Sequence, residues 1–253
     1  MIIFSCVTRE DSPIPEQDHI DSTHDYVMFH SVDVKVPSCW KKIKIKEEVN
    51  PRYTFAKVQM LSHEYFKKDH VWIDPKQYIL KGLYTKFINE PTEYDCIMPK
   101  DIQRKYLLDE LFDWYLYPCI NEIDLISIVK DLEVMNYDYS LQASCNHCVY
   151  LRRYNKKTIK HNEMWFDIWK RYKLRTQLPW LMSHFLMPEY KVKYVNYYVN
   201  TPRDHQPHEW GLKKQDILRR KLALPNLVKT VKNMINFPYY LNNNSVSLRI
   251  DQL

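Results

Sequence analysis

The sequence predicts an α+β chain that is mostly helical, with a small strand-containing N-terminal region followed by a bundle of short amphipathic helices. Three observations carry this. Apolar residues alternate between Tyr26 and Met60, a helical period takes over from Pro99, and the charge changes sign near the middle of the 253 residues.

Residues 8–25 are polar and acidic with two prolines, so 1–25 read as a flexible or draped arm. Val32, Val34 and Val36, then Ile43 and Ile45, then Tyr53 and Phe55 read as short strands interrupted by Pro37 and Pro51. From Pro99, the residues Ile102, Leu107, Leu108, Leu111, Phe112, Tyr115 and Leu116 form a helical stripe closed by Pro118. Asn121 caps a second helix through Leu125, Ile126, Val129 and Leu132. A third helix is expected from Ser140, and a fourth after Asn162 through Met164, Trp165, Ile168, Trp169 and Tyr172. Tyr190–Val199 reads as an exposed strand or extended arm, 201–209 as a Pro/His loop, and Leu212–Leu222 and Pro225–Ile235 as two further short helices. The organisation is therefore an acidic mixed α/β region over 26–139, a basic helical region over 140–241 and a loose tail over 242–253.

Composition narrows the function classes. Apolar residues make up 45% of the chain, enough for a sizeable core. Glycine occurs only twice, at Gly82 and Gly211, so no dinucleotide fingerprint, P-loop, kinase loop or nucleophile elbow can be written. An AT-rich genome would also deplete glycine, so the scarcity excludes folds without favouring any. Residues 1–140 sum to −7 and residues 141–253 to +13. Such a field attracts phosphates or acidic protein surfaces, unless the basic half docks on the chain's own acidic half. With no secretory signal and no apolar run of membrane-spanning length, an intracellular chain, cytoplasmic or nuclear, with six reduced cysteines is expected.

Cys145-Asn146-His147-Cys148, with His161 downstream, offers three zinc ligands, Cys145, Cys148 and His161. A fourth would come from His184, Cys119 or Cys96; two buried thiols are the alternative. His63 and His70 stand seven apart, too far for the i, i+4 chelation of a zincin, and His205, His208 and Glu209 share a loop. Nothing pairs a nucleophile with a base. Cations interleave with aromatics in Tyr150–Lys157, Trp169–Arg175 and Tyr190–Tyr194, a composition suited to RNA contact or to helices with buried aromatics.

Ser140, Leu141, Cys145 and Val149 also occupy the places of an elongin-binding (BC) box, and residues 140–186 resemble a SOCS-box segment of cullin ubiquitin-ligase adaptors. The resemblance implies a helix presenting Leu141, Cys145 and Val149 to an elongin groove, with Arg152 and Arg153 following. The second element is half present, because Leu178-Pro179-Trp180-Leu181 lacks the later proline.

The sequence thus points to a non-enzymatic interaction protein, an accessory subunit or adaptor. It would dock a protein partner through Arg152, Arg153, Lys170, Arg171, Arg219 and Arg220. A ligase adaptor and an RNA-binding protein are the alternatives.

Overall fold

The structure is a computed structural model that describes residues 1–90, 93–100, 106–116, 120–141, 147–172, 176–197 and 214–235; of 214–217 only the backbone is described. Its centre is a seven-stranded mixed sheet of order β3-β2-β1-β4-β6-β5-β7. The strands are β1 (Ile2–Val7), β2 (Asp25–His30), β3 (Lys41–Lys44), β4 (His70–Ile73), β5 (Cys96–Pro99), β6 (Val149–Arg152) and β7 (Val192–Val195). Neighbouring pairs β3-β2, β2-β1, β1-β4 and β5-β7 are parallel, while β6 runs antiparallel to both β4 and β5. The helical-bundle expectation is overturned by this sheet, to which the basic half contributes β6 and β7.

The sheet hid because it is covered on both faces. Strands buried that way are continuous apolar runs without alternation. Every residue of β1, β4, β5 and β6 is buried. Ile3, Val7, Tyr26, Met28, Val71, Ile73, Ile97, Val149 and Leu151 belong to one core cluster, against which Ile14 of the arm packs. Phe4, Trp72, Tyr150 and Arg152 alternate with them, and α1 (Pro51–Met60) and α4 (Lys156–Tyr172) cover this second face. Phe55 of α1 meets Trp72 at 5.4 Å and Trp165 of α4 meets Tyr150 at 6.1 Å. The exposed edge, β3, is blunted by lysines.

Several elements follow from local chemistry. Tyr53 and Phe55, expected in a strand, lie in α1 because Pro51 takes the first helical position and Asn50 accepts the Tyr53 N–H at 2.9 Å. Asn121 opens α3 (Glu122–Val134) through a reciprocal capping box with Asp124, as the sequence indicates. Asn136, in the left-handed conformation, ends it: Tyr137 N–H reaches Leu132 O and Asn136 N–H reaches Glu133 O. Of the helix expected from Ser140, residues 142–146 lie outside the described residues; Ser140 and Leu141 are in a turn and Val149 opens β6. The two helices expected beyond 212 are one, α6 (Lys214–Met234), with Pro225 inside it. The remaining helices are α2 (Leu107–Leu116) and α5 (Gln177–Phe185).

Two compact units emerge. The first comprises residues 1–100 and 145–202 and holds the sheet with α1, α4 and α5. The second takes the described residues of 101–144 and 203–253, in which α6 packs on α2 and α3 and Arg220 donates to Tyr115 O and Ile120 O. Among the described residues no helix is long and apolar enough to cross a membrane.

Arg152 ties the first unit together. It is 2% exposed, and its guanidinium donates to Gln59 O and Met60 O at the end of α1 and to Asn162 Oδ1 of α4. Arg152→Met would take the charged donor from these buried acceptors, although Gln59 O keeps the Tyr150 hydroxyl at 3.4 Å, and is expected to cost about 3 kcal/mol or more, read as a lowered urea midpoint. Val49 holds φ at 42° and is 84% exposed, a strained posture for a β-branched side chain that buries nothing. Val49→Gly should raise stability by about 0.5–1 kcal/mol in the same denaturation assay.

Candidate functional site

In the parallel part of the sheet the chain passes from β1 to β2 on one side and later returns as β4 on the other. A crevice outside the carboxyl ends of the strands at such a reversal is where open α/β sheets take ligands. Here a cavity of about 240 Å³ lies at the carboxyl end of β4. Arg52, Phe55, Ala56 and Gln59 recur on one face of α1 and form one wall. Asp74 follows the last residue of β4, His147 and Cys148 precede β6, Trp169 comes from α4, and Thr176 and Gln177 stand at the start of α5.

Antiparallel pairing fixes the floor. Ile73 pairs with Val149, and Asp74 N–H donates to Cys148 O at 2.7 Å, so Asp74 and Cys148 emerge side by side. The Asp74 carboxylate accepts the Lys76 N–H at 3.1 Å. His147 Nδ1 lies 3.1 Å from Thr176 Oγ1, and Trp165 Nε1 donates to Thr176 O at 2.8 Å, which anchors the start of α5. The His147 ring stands among Tyr150, Trp165 and Trp180 at 5.2–5.9 Å. Burial, reinforced by the Arg152 charge, pushes its pKa down to about 3, so the ring is neutral.

The walls carry a carboxylate, a guanidinium, two amides, a hydroxyl and a thiol beside the faces of Phe55 and Trp169. Polar groups from several elements therefore converge on a partly apolar crevice, the usual composition of a small-molecule site.

A second polar cluster sits around Arg152. Ser62 Oγ lies 2.7 Å from His70 Nε2, and His70 Nδ1 is 2.9 Å from Lys68 O. Asn162 joins Arg152 to His63 Nδ1 at 3.2 Å. Burial, then the guanidinium, holds His63 down to about 4 and His70 to about 3. These groups are enclosed and link elements; none of them lines the cavity.

The residues singled out in the sequence are scattered. Arg152 and Val149 are inside the sheet, and Arg153 is buried against Asp69 at 2.9 Å. Lys170 pairs with Asp167, and Arg171 lies over Tyr172. Arg219 and Arg220 belong to the second unit. Leu141 is exposed in a turn, and Cys145 lies outside the described residues, as do Cys119, His205, His208 and Glu209. Of the zinc candidates, Cys148 lines the cavity, whereas His161 is buried, stacked on Tyr190 at 4.1 Å with Nε2 3.1 Å from Ser183 Oγ. Among the described residues no group of three or more His, Cys, Asp or Glu gathers for a metal. Burial raises the Cys96 thiol to about 12 and Cys6 further still, which leaves both protonated. Sequence reasoning missed Arg52, Gln59, Asp74 and Gln177. The available signal was the apolar run Val71-Trp72-Ile73 broken by Asp74-Pro75, a strand ending in a turn.

No family model matches the chain, and no curated protein does. Solved structures with some similarity include galactosyltransferase LgtC in complex with donor and acceptor sugar analogs. That likeness has a TM-score of 0.42 and 11% identity, and covers 78% of this chain and 73% of that one. An active-site mutant of LgtC matches with a TM-score of 0.42 at 10% identity over 78% and 73% of the two chains. Mouse xyloside xylosyltransferase 1, apo form, matches with a TM-score of 0.41 at 8% identity over 77% and 84%. At these values the likeness assigns no residue a role.

The expectation of a non-enzymatic adaptor or accessory subunit docking through a basic C-terminal half is corrected. The supposed docking half contributes β6 and β7 to the sheet, and its Arg152 and Arg153 are buried. Of the aromatics that the RNA-binding alternative would stack on bases, Tyr150, Trp169 and Tyr190 are buried, while Tyr154, Tyr172 and Tyr194 are half-buried. Of the BC-box positions, Val149 is a buried strand residue and Leu141 is exposed in a turn.

Acid should unfold this chain through its histidines. His63, His70 and His147 stay neutral in the fold until about pH 4, 3 and 3, but take a proton near 6.5 when unfolded. Below pH 6.5 the unfolded state binds more protons, so stability falls as pH drops. Each such histidine contributes a slope of up to about 1.4 kcal/mol per pH unit. Urea unfolding between pH 7.5 and 4.5 is expected to show this fall, and His70→Gln should make it shallower by about one proton; an unchanged slope would mean that His70 is charged in the fold.

Proposed function

We propose that this chain binds a small polyhydroxylated molecule, about one ring in size, in the cavity at the carboxyl end of β4. The observation that carries the reading is the convergence of polar side chains from α1, the β4 end, the β6 start and α5 on one crevice beside the strand-order reversal. Asp74 supplies an acceptor for hydroxyl groups, Arg52 a fork of donors, and Gln59 and Gln177 supply both. Phe55 and Trp169 give the apolar face of a ring something to lie against. At 240 Å³ the cavity has room equivalent to about eight waters, which suits one ring and not a dinucleotide.

Ligand-observed NMR with a panel of monosaccharides, inositols and nucleosides tests this. A hydroxylated ring should bind, and Asp74→Asn or Gln177→Ala should weaken it by about tenfold, roughly the loss of one hydrogen bond. No binding by any member, or binding untouched by both substitutions, would refute the site.

A further inference from the structure

The second unit carries an unusual share of exposed aliphatic surface. Of the nine large apolar side chains exposed among the described residues, Ile123, Val134, Leu141, Leu218 and Leu222 belong to it. On α6 the pattern is ordered. Leu224, Leu227, Val231 and Ile235 form the buried stripe at three- and four-residue spacing. Leu218, at 57% exposure, and Leu222, at 72%, are four residues apart on the opposite side, in line with Pro225, Lys229 and Lys232, all exposed. An outward face that sets two leucines in line with two lysines is not the polar face of an ordinary surface helix. The α6 sequence holds six Lys and Arg against one acid, Asp216. The outward face of α3 repeats the theme with Ile123, Lys130 and Val134 exposed and no carboxylate in line with them.

We infer that α6 lies on an anionic lipid surface, with Leu218 and Leu222 entering the headgroup boundary and Lys229 and Lys232 meeting lipid phosphates and carboxylates. Charge complementarity selects this occupant. Two leucines spaced by one helical turn offer too little apolar area for a stable protein interface, which needs a buried hot-spot core. They suffice to seat a helix in the interface plane when basic side chains add attraction to acidic headgroups. Arg220 takes no part in this surface, because it is committed to the carbonyls of Tyr115 and Ile120.

Co-sedimentation of the full chain with phosphatidylcholine vesicles, with and without about 30% phosphatidylserine, decides the matter. Binding is expected to the anionic vesicles alone at low salt, weakening at least tenfold as salt approaches 0.5 M. Leu218→Ser with Leu222→Ser should lower it at least tenfold, and Lys229→Glu with Lys232→Glu should abolish the preference for phosphatidylserine. All four side chains are exposed, so thermal midpoints should match the parent and certify folding. No sedimentation at low salt overturns the inference. So does binding that ignores the leucine substitutions, which would mark a general polyanion site of the kind nucleic acid occupies.

Discussion

Arg152 is the constraint on which the first unit depends. A guanidinium cannot shed its proton, so burying it demands acceptors placed around it. Among the described residues no carboxylate bonds to it directly. The acceptors are the last carbonyls of α1, at Gln59 and Met60, and the side chain of Asn162 on α4. A helix leaves those terminal carbonyls without partners and carries partial negative charge at that end. The cation from β6 therefore completes the C-terminus of α1 while fixing its distance from the sheet. Tyr150 and Trp165 offer their rings to the same cation at 5.0 and 5.9 Å. The positive charge also explains why the neighbouring histidines are neutral, since burial and the guanidinium both oppose their protonation.

That arrangement reaches the cavity through α1. Gln59 gives its carbonyl to Arg152, while its position also puts it in the cavity wall, one turn and two turns from Ala56, Phe55 and Arg52. The floor is set separately by the antiparallel pairing of β4 with β6, which brings Asp74 to Cys148. Wall and floor are thus held by strand β6 at its two ends: Val149 at the cavity and Arg152 at the far side. A binding crevice on such rigid elements keeps its shape without loop closure, and the polar groups are pre-placed rather than recruited.

The helices were legible where local chemistry decides them. Asn121 with Asp124, and the aromatic stripe of Trp165 and Trp169, identify α3 and α4 from the sequence. The sheet was not legible, because its signal is not periodic. Ile2–Val7 reads only as a short apolar opening, and Val149–Arg152 looks like a helix turn flanked by cations. The pairing that makes them strands is set by residues up to 82 positions away, as with His70 and Arg152. The cavity was illegible for the same reason. Arg52, Asp74 and Gln177 belong to no motif and meet only once α1, β4 and α5 are assembled. Arg152 and Arg153 misled for a physical reason: paired arginines in sequence look like a surface, but a strand sends adjacent side chains to opposite faces. One is enclosed by α1 and α4, the other is clasped by Asp69.

The charge asymmetry resolves along the same lines. Arg153 pairs with Asp69, Lys157 with Asp95, and Lys193 with Glu90, so basic groups from beyond residue 140 are met by acids from before it. These pairs stitch β6, the start of α4 and β7 to the N-terminal strands, and they consume charge that would otherwise form a docking field. On α6 the accounting is different. Arg220 is taken up by carbonyls, while Arg219, Lys229 and Lys232 stand exposed in a helix whose single acid is Asp216. Among the described residues α6 thus sets exposed cations beside exposed leucines, and a field of one sign over apolar side chains has a natural complement in an acidic surface with an apolar interior.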